Sequence, residues 1–389
     1  MSSYHPSEAL LAQLPQPDSV EIQHSQKLVD LVVAEIEKQG GTISFHDYMN
    51  LLLYAPTLGY YSGGLAKIGN DGDFVTAPEI SPLFGRTLAN QCRQLFDQGC
   101  PRRILEFGAG SGKLCEQIMH KPGKPDSYLI LELSADLRQR QQQYLKQVLT
   151  PEVFDRVSWL DSLPDKFNGI VLANEVLDAM PVNLVKKNKD WFELGVGFDG
   201  DRFVWNYLPD ASEAVSSAEN LEKKFGPYDE GYTTEINLNY LPWFKALGDC
   251  TDQVVALLID YGYECAEYYH PSRQQGTLLC HYRHRVHSDP IILPGLQDIT
   301  ASVDFDGVAD AAEGAGFDVV GLVSQGRFLL ENGLLDEAEF NGRSDNTLAQ
   351  LDVAQQIKTL SLPDEMGEKF KVIALKKNLD INLPAFSRV

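Results

Sequence analysis

The sequence predicts an α/β protein built on a Rossmann-like, mainly parallel sheet of seven strands. A helical region precedes this sheet, and an insertion separates its fourth and fifth strands. Short apolar runs begin near Arg102 and alternate with helical segments, as in parallel sheets that are covered on both faces. A glycine-rich turn follows the first of these runs directly. The first hundred residues show mostly helical patterns instead, which separates them from the sheet-forming part.

Residues 1–101 form the predicted N-terminal helical cap. Leucine, valine and isoleucine recur at helical spacing over residues 28–36. Ser44 is a candidate N-cap for a second helix, and residues 82–96 predict a third. Between the second and third helices, residues 59–81 are rich in glycine and aromatic residues and predict a loop.

Residues 102–389 form the predicted second domain, which carries eight runs of β-type composition. The runs are residues 103–107, 127–133, 156–160, 169–175, 254–260, 276–282, 317–323 and 371–377. The fourth and fifth runs are too far apart in the chain for a single crossover helix. We therefore expect residues 183–250 to be an insertion that faces the substrate, with a hairpin that turns at Asp199-Gly200.

The composition disfavours some classes of partner. The chain has 389 residues, and 33 Lys+Arg against 55 Asp+Glu give a net charge of −22. Such a charge repels nucleic acid, and it either suits a basic substrate or only keeps the protein in solution. Six scattered cysteines form no CxxC pair, so we expect reduced thiols and no metal. No apolar run approaches the roughly 18 residues of a membrane helix. The N-terminus lacks secretory or transit features, so a cytoplasmic protein without membrane insertion is expected. The sequence leaves its oligomeric state open.

The glycine turn indicates which cofactor the sheet holds. Its pattern over Glu106–Gly112 is E-x-G-x-G-x-G, between a strand and a helix. A dinucleotide turn would have its third glycine one position later, and a P-loop would have Ser or Thr in place of Leu114. S-adenosyl-L-methionine has no phosphate, so its turn needs room for ribose and amino-acid groups and no anion nest. The pattern therefore favours S-adenosyl-L-methionine over NAD.

Polar residues at the ends of the following strands extend this predicted site. Glu132 ends the second strand and can accept both ribose hydroxyls, although NAD would use the same position. Asp161 follows the third strand and suits the adenine amino group, or is an exposed turn residue. The predicted cofactor-binding residues are Glu106, Gly108, Ala109, Gly110, Ser111, Gly112, Glu132, Asp161 and Asn174.

Seven segments of the chain carry a resemblance to a known family. They are residues 68–85 (IGNDGDFVTAPEISPLFG), 104–114 (ILEFGAGSGKL), 129–141 (LILELSADLRQRQ), 174–182 (NEVLDAMPV), 257–262 (LLIDYG), 276–290 (GTLLCHYRHRVHSDP) and 294–305 (PGLQDITASVDF). In this order they resemble the MidA family, which includes the mitochondrial complex I assembly-factor methyltransferases. Ser302 departs from the resemblance, because a histidine is expected there.

The resemblance has implications for fold and activity. It implies a class I S-adenosyl-L-methionine-dependent methyltransferase fold. From the mitochondrial relatives it also implies symmetric dimethylation of an arginine on a complex I core subunit. The expected partner is then an arginine-bearing protein, such as a complex I type subunit.

An arginine acceptor requires carboxylates around it. The guanidinium stays protonated at ordinary pH, so it is a poor nucleophile until acids hold it and free a lone pair. Glu175 and Asp178 follow the fourth strand, and Glu79 lies in a loop that could fold over the cofactor. These three are the predicted catalytic residues. Asp260 ends the fifth strand and is either a further site residue or an ordinary strand-end acid.

Two other functions make different demands on these residues. An S-adenosyl-L-methionine-binding assembly factor or chaperone with little catalysis stays open, although it would not need acids beside the cofactor. A nucleic-acid amino-methyltransferase is disfavoured, because residues 174–177 read Asn-Glu-Val-Leu and not Asn/Asp-Pro-Pro-Tyr. His281, His284 and His287 lack the spacing of a zinc site and are expected at the mouth of the active site.

Overall fold

The computed structural model describes residues 8–63, 76–209, 212–341 and 347–387. The helices are α1 (Glu8–Leu11), α2 (Ser19–Lys38), α3 (Phe45–Tyr54), α4 (Ala77–Ile80), α5 (Pro82–Asp97), α6 (Lys113–Met119), α7 (Ala135–Val148), α8 (Pro151–Phe154), α9 (Glu213–Phe225), α10 (Tyr240–Cys250), α11 (Cys265–Tyr268), α12 (Phe305–Gly314), α13 (Gln325–Glu331), α14 (Leu334–Asn341), α15 (Thr347–Ser361) and α16 (Met366–Lys369), with a 3-10 turn at Pro384–Phe386. The strands are β1 (Ile43–Ser44), β2 (Arg103–Phe107), β3 (Ser127–Leu131), β4 (Val157–Leu160), β5 (Phe167–Asn174), β6 (Asn183–Lys187), β7 (Trp191–Phe198), β8 (Phe203–Tyr207), β9 (Thr233–Ile236), β10 (Thr251–Tyr263), β11 (Leu279–Tyr282), β12 (Arg285–His287), β13 (Asp298–Thr300), β14 (Val303–Asp304), β15 (Asp318–Ser324) and β16 (Phe370–Lys377).

The chain divides into two compact units. The first comprises Met1–Phe74, Asp178–Asn239 and Tyr263–Asp304. The second comprises Val75–Leu177, Tyr240–Gly262 and Phe305–Val389. These units do not follow the predicted boundaries at residue 101 and around residues 183–250, because packing joins segments that are distant in sequence.

The second unit contains the predicted mainly parallel sheet. Seven strands run in the order β15-β16-β10-β5-β2-β3-β4. The pairs β4–β3, β3–β2, β2–β5 and β5–β10 are parallel, and β16 is antiparallel to both of its neighbours. The chain leaves β2 towards β3 on one side and returns to β5 on the other. A crevice for a ligand therefore opens at the carboxyl ends of β2 and β5, where the strand order reverses.

Apolar strand faces explain why this sheet is central. Residues 170–173 of β5 and 254–259 of β10 are buried without alternation, as expected of strands covered on both sides. The core of this unit gathers β2, β3, β5, β10 and β16 against α5, α6 and α13. A rigid sheet of this kind holds the residues at its carboxyl edge in fixed positions.

The first unit is built on antiparallel pairing. A sheet in the order β1-β7-β6-β9 has β8 paired with β7, and the β7–β8 hairpin turns at Asp199-Gly200 as predicted. Ser44 caps α3 by accepting a hydrogen bond from Asp47 N, which confirms it as an N-cap. The core between α2, α3 and this sheet includes Leu28, Phe45 and Tyr48.

One predicted β-run belongs to another sheet. Residues 276–282 are one of the eight runs of β-type composition, and Leu279–Tyr282 forms β11 in a three-stranded sheet of order β12-β11-β13, outside the central sheet. The backbone N–H groups of Thr277 and Leu278 donate to the buried Glu235 carboxylate (2.8 and 3.0 Å) and not to a neighbouring strand. A buried side chain thus fixes this segment in the first unit.

None of the described helices combines the length and apolarity that a membrane crossing requires. Residues 183–250 contain the strands β6, β7, β8 and β9 of the antiparallel sheet and the helices α9 and α10.

Candidate active site

The glycine turn connects β2 to α6. Gly108, Gly110 and Gly112 have φ angles of 60°, 54° and 87°, values that glycine adopts without strain. Gly112 N donates to Ala109 O (2.8 Å), and Gly112 itself caps α6. A Cβ at Gly108 would lie 3.2 Å from Cγ2 of Val176, which follows β5. The turns after β2 and β5 therefore lie against each other, with exposed backbone on the first.

Glu106 lies beneath this turn in the core. It is 2% exposed and accepts a hydrogen bond from the Tyr128 hydroxyl at 2.8 Å. Burial raises the pKa of Glu106 to about 8, and the nearby charge of Glu132 adds to this effect. Its predicted contact with the cofactor stays a prediction, because the structure places its carboxyl group on Tyr128.

Glu132 lies just past the end of β3, as predicted for a ribose-binding acid. Its Oε1 accepts from Ser134 N (2.9 Å) and its Oε2 from Gln141 Nε2 (3.0 Å). Burial raises the pKa of this carboxyl group, and these hydrogen bonds together with Arg138 act in the opposite direction. A carboxylate has about four acceptor sites, so two ribose hydroxyls can still be accommodated.

Asp161 is held by Arg138 at the end of β4. The Arg138 Nη1 atom lies 2.6 Å from Asp161 Oδ1, and the Asp161 side chain is 88% exposed. Nε and Nη2 of Arg138 are buried and have no hydrogen-bond partner among the described residues. The role of Asp161 in adenine binding stays a prediction, and Arg138 offers unused donors beside it.

Glu79 contacts the glycine turn. Its carboxylate accepts from the Ser111 hydroxyl and forms an ion pair with Lys113 at 2.5 Å. The structure thus places this predicted catalytic acid against predicted cofactor-binding residues. Its catalytic role stays a prediction, and residues 68–75 of the same motif lie outside the described residues.

Asn174 and Glu175 lie together at the carboxyl end of β5. Asn174 Nδ2 donates to Glu175 Oε1 at 3.1 Å, while the buried Asn174 Oδ1 has no partner among the described residues. Glu175 has a φ of 54°, in the left-handed region that non-glycine residues rarely occupy. Such residues persist where surrounding structure fixes them, and they cluster at active sites.

Asp260 fixes the turn that follows Glu175. Its side chain is 1% exposed, and its Oδ2 accepts from Leu177 N at 3.0 Å. Glu175 N donates to Ile259 O at 2.9 Å. Asp260 at the end of β10 therefore supports this turn from the neighbouring strand.

Asp178 belongs to the first unit. It is 5% exposed, and its backbone oxygen accepts from Ala301 N at 3.0 Å. In the same unit the Tyr61 hydroxyl donates to Asp298 Oδ1 at 2.8 Å. The Tyr61 ring stacks on the Tyr54 ring, with centroids 5.5 Å apart. Burial raises the pKa of Tyr61, and Asp298 and Asp178 act in the same direction. Asp178 is thus near a second buried acid, Asp298, which the sequence did not single out.

The three histidines lie around the β11–β12 hairpin. His281 is on β11, and His284, with a φ of 59°, lies in its turn. His287 is buried, and its Nδ1 accepts from Asp289 N at 3.3 Å. Burial lowers the pKa of His287, with the nearby His281 acting in the same direction. Their expected position at the mouth of the site stays a prediction.

The chemistry of the donor set fits S-adenosyl-L-methionine. The turn leaves glycine backbone at the crevice, and Glu132 lies at the strand end where an acid for the ribose is predicted. The strand order and this site together define a class I S-adenosyl-L-methionine-dependent methyltransferase.

Comparison with known proteins identifies the family. A family model described as an S-adenosyl-L-methionine-dependent methyltransferase matches residues 84–323. The chain belongs to this family, which confirms the resemblance to the MidA family.

Curated relatives match most of the chain. "Protein arginine methyltransferase NDUFAF7, mitochondrial" from Xenopus laevis is 27% identical over 388 residues, covering 89% of this chain and 85% of that protein. The protein of the same name from Mus musculus is 28% identical over 377 residues, with 87% and 82% covered. The Danio rerio protein is 26% identical over 369 residues, with 86% and 83% covered.

Solved structures share the fold at higher identity. A crystal structure from Burkholderia thailandensis bound to S-adenosyl-homocysteine is 44% identical, has a TM-score of 0.91, and covers 97% of this chain and 98% of that chain. A second structure from the same organism is 43% identical with a TM-score of 0.87 and the same coverage. S-adenosyl-L-methionine is accordingly the cofactor of this family, as predicted.

Proposed function

We propose that this methyltransferase transfers a methyl group to an arginine side chain of a protein. The observation that carries the proposal is the acid Glu175, held in a left-handed conformation beside Asn174 at the carboxyl end of β5. The names of the curated relatives support the same acceptor.

The structure supports the role of Glu175 through the groups that fix it. Its backbone N–H is bonded to Ile259 O, and Asp260 bonds Leu177 N two residues later. Strain of roughly 1–3 kcal/mol at such a residue must be offset by these surrounding contacts. The backbone of this turn is therefore fixed, and the Glu175 carboxylate accepts from Asn174, so the side chain loses less conformational freedom when it binds a guanidinium.

The cofactor supplies a methyl group on a sulfonium, which is already activated towards displacement. The chain therefore has to bind the acceptor, orient it towards the methyl group and exclude water. Glu132 and the glycine turn hold the cofactor, and Gly108 allows the turn after β5 to lie close by. Glu175 would accept N–H groups of the guanidinium and turn one nitrogen lone pair towards the methyl group.

Asp178 is proposed as a second acid for the acceptor. It is buried, and the first unit surrounds it with Tyr61, Asp298 and Ala301. In a buried site a carboxylate attracts a cation more strongly than it does in water. A guanidinium is a cation of matching shape, and it offers five N–H donors.

Transfer of labelled methyl groups tests this proposal. The purified protein and labelled S-adenosyl-L-methionine are incubated with a lysate of the source cell, and the labelled proteins are hydrolysed and analysed by mass spectrometry. Methylated arginine supports the proposal, with complex I type subunits as the first candidates from the resemblance. Label on another residue type overturns it. No labelled protein, from an enzyme shown by calorimetry to bind the cofactor, favours the assembly-factor alternative.

A further inference from the structure

We propose that Gln141 is a positioning residue of the cofactor site, which orients Glu132 towards the ribose and fixes the glycine turn. Gln141 lies on α7 and is 0% exposed. It belongs to none of the predicted site residues. The proposal concerns cofactor binding and does not depend on the identity of the methyl acceptor.

The Gln141 amide connects three strand ends. Its Nε2 donates to Gly110 O at 2.9 Å and to Glu132 Oε2 at 3.0 Å. Its Oε1 accepts from Trp159 Nε1 at 2.9 Å. Gly110 belongs to the turn after β2, Glu132 follows β3, and Trp159 lies on β4. A single side chain therefore joins the two predicted cofactor-binding elements to a third strand.

The orientation of this amide is determined by its partners. An indole N–H can only donate, so the atom facing Trp159 must be the amide oxygen. The amide nitrogen then faces Gly110 O and Glu132 Oε2, both of which can only accept. Because both amide N–H groups and the amide oxygen have partners, rotating the amide by half a turn would oppose like groups at all three contacts.

Hydrogen bonding by Gln141 also favours the ionised form of Glu132. Other groups face this carboxylate: Ser134 N on the same segment, Arg138 on α7 and Glu106 on β2. Asp161, directly after β4, reaches the same region through its ion pair with Arg138. Burial raises the pKa of Glu132, and Gln141 opposes this rise. Loss of Gln141 should move the titration of Glu132 to higher pH.

A purely structural glutamine would behave differently in one measurable respect. If Gln141 only filled the core, its replacement would weaken cofactor binding by a similar factor at every pH. If it acts through Glu132, the loss of binding on acidification should begin at a higher pH, since the ribose needs the ionised carboxylate. The pH profile of cofactor affinity therefore separates the two roles.

The test compares Gln141→Met with the control Gln142→Met. Methionine is close to glutamine in length and makes no comparable hydrogen bonds, and Gln142 is an exposed neighbour on α7. The affinity for S-adenosyl-homocysteine is measured by calorimetry between pH 5 and 9, with thermal unfolding as a check of folding. We expect Gln141→Met to bind about 10–100-fold more weakly at neutral pH, the effect of losing a hydrogen bond to a charged group. The control should bind as the unchanged protein does.

Two further variants keep the test decisive. Glu106→Gln removes the second buried carboxyl group with a raised pKa, and the shift caused by Gln141→Met should persist in that background. Trp159→Phe removes the donor to the Gln141 oxygen, together with part of the ring that packs near Phe154, and we expect a several-fold loss of affinity that begins at a higher pH on acidification. If Gln141→Met does not fold, the test rests on Trp159→Phe. An unchanged affinity of Trp159→Phe for S-adenosyl-homocysteine then overturns the proposal. A Gln141→Met protein that folds and binds normally, or whose loss is equal at every pH, also overturns it.

Discussion

The left-handed conformation of Glu175 leads to a prediction about stability that can be separated from activity. Glu175→Gly and Glu175→Ala both remove the carboxylate, so their difference measures the backbone alone. A residue with a Cβ pays roughly 1–2 kcal/mol in the left-handed region, and glycine pays none of it. Glycine loses about 0.5–1 kcal/mol more than alanine in conformational entropy on folding. At the observed φ of 54°, we expect the glycine variant to be the more stable by about 0.7 kcal/mol.

Urea unfolding of the two variants measures this difference, provided that their m-values agree. Gln142, exposed within the helix α7, supplies the control pair. There glycine should be less stable than alanine by roughly 0.8–1 kcal/mol, so the sign of the difference reverses between the two sites. If the glycine variant is less stable than the alanine variant at both positions, the assignment of strain to Glu175 is refuted. Both variants at Glu175 should retain cofactor affinity and lose methyl transfer.

The remaining predictions concern the cofactor and the acids. Gly110→Val should abolish S-adenosyl-L-methionine binding, because a β-branched residue is strained at a φ of 54° and fills the turn. Calorimetry measures this binding. Retained binding by the variant, or tight NAD binding by the unchanged protein, contradicts the prediction. Glu175→Gln and Asp178→Asn should each keep cofactor affinity and slow turnover roughly 10–150-fold, from about 1.5–3 kcal/mol per charge-assisted hydrogen bond. Full activity of both variants in steady-state assays counts against the arginine acceptor. Residues 68–82 should gain hydrogen-exchange protection when S-adenosyl-L-methionine binds, and unchanged exchange there removes this loop from the pocket.

Local patterns were sufficient to predict the central sheet and its turn. The E-x-G-x-G-x-G spacing after β2 needs no distant contact, since glycine is the residue that adopts a positive φ without strain. Glu132 was predicted for the same reason, because an acid at the end of the second strand of such a sheet faces the crevice. The Asp199-Gly200 hairpin and the Ser44 cap are also features of a few adjacent residues.

Features that depend on distant residues were not predictable in this way. The run at residues 276–282 has the composition of a central strand, yet Glu235 on β9 accepts its backbone N–H groups and Gly276 makes room for that carboxylate. A Cβ on Gly276 would lie 2.3 Å from Glu235 Oε1. No spacing within the run itself distinguishes it from its neighbours.

The same limit explains why the residues that orient the site are harder to find than those that contact the ligand. Glu132 is defined by its place at a strand end, but Gln141 is one of five glutamines in residues 139–147, within a polar helix. Only the rotation of α7 against the sheet turns Gln141 inward while Gln142 and Gln143 stay exposed. That rotation is fixed in part by Leu145, one turn further on the same face and fully buried. A glutamine at an apolar position of a helix, one turn before a buried leucine, is therefore a signal worth seeking. Such a glutamine has a buried amide whose N–H groups and oxygen both need hydrogen-bond partners. Beside a cofactor-binding turn, the nearest of these partners belong to the cofactor site.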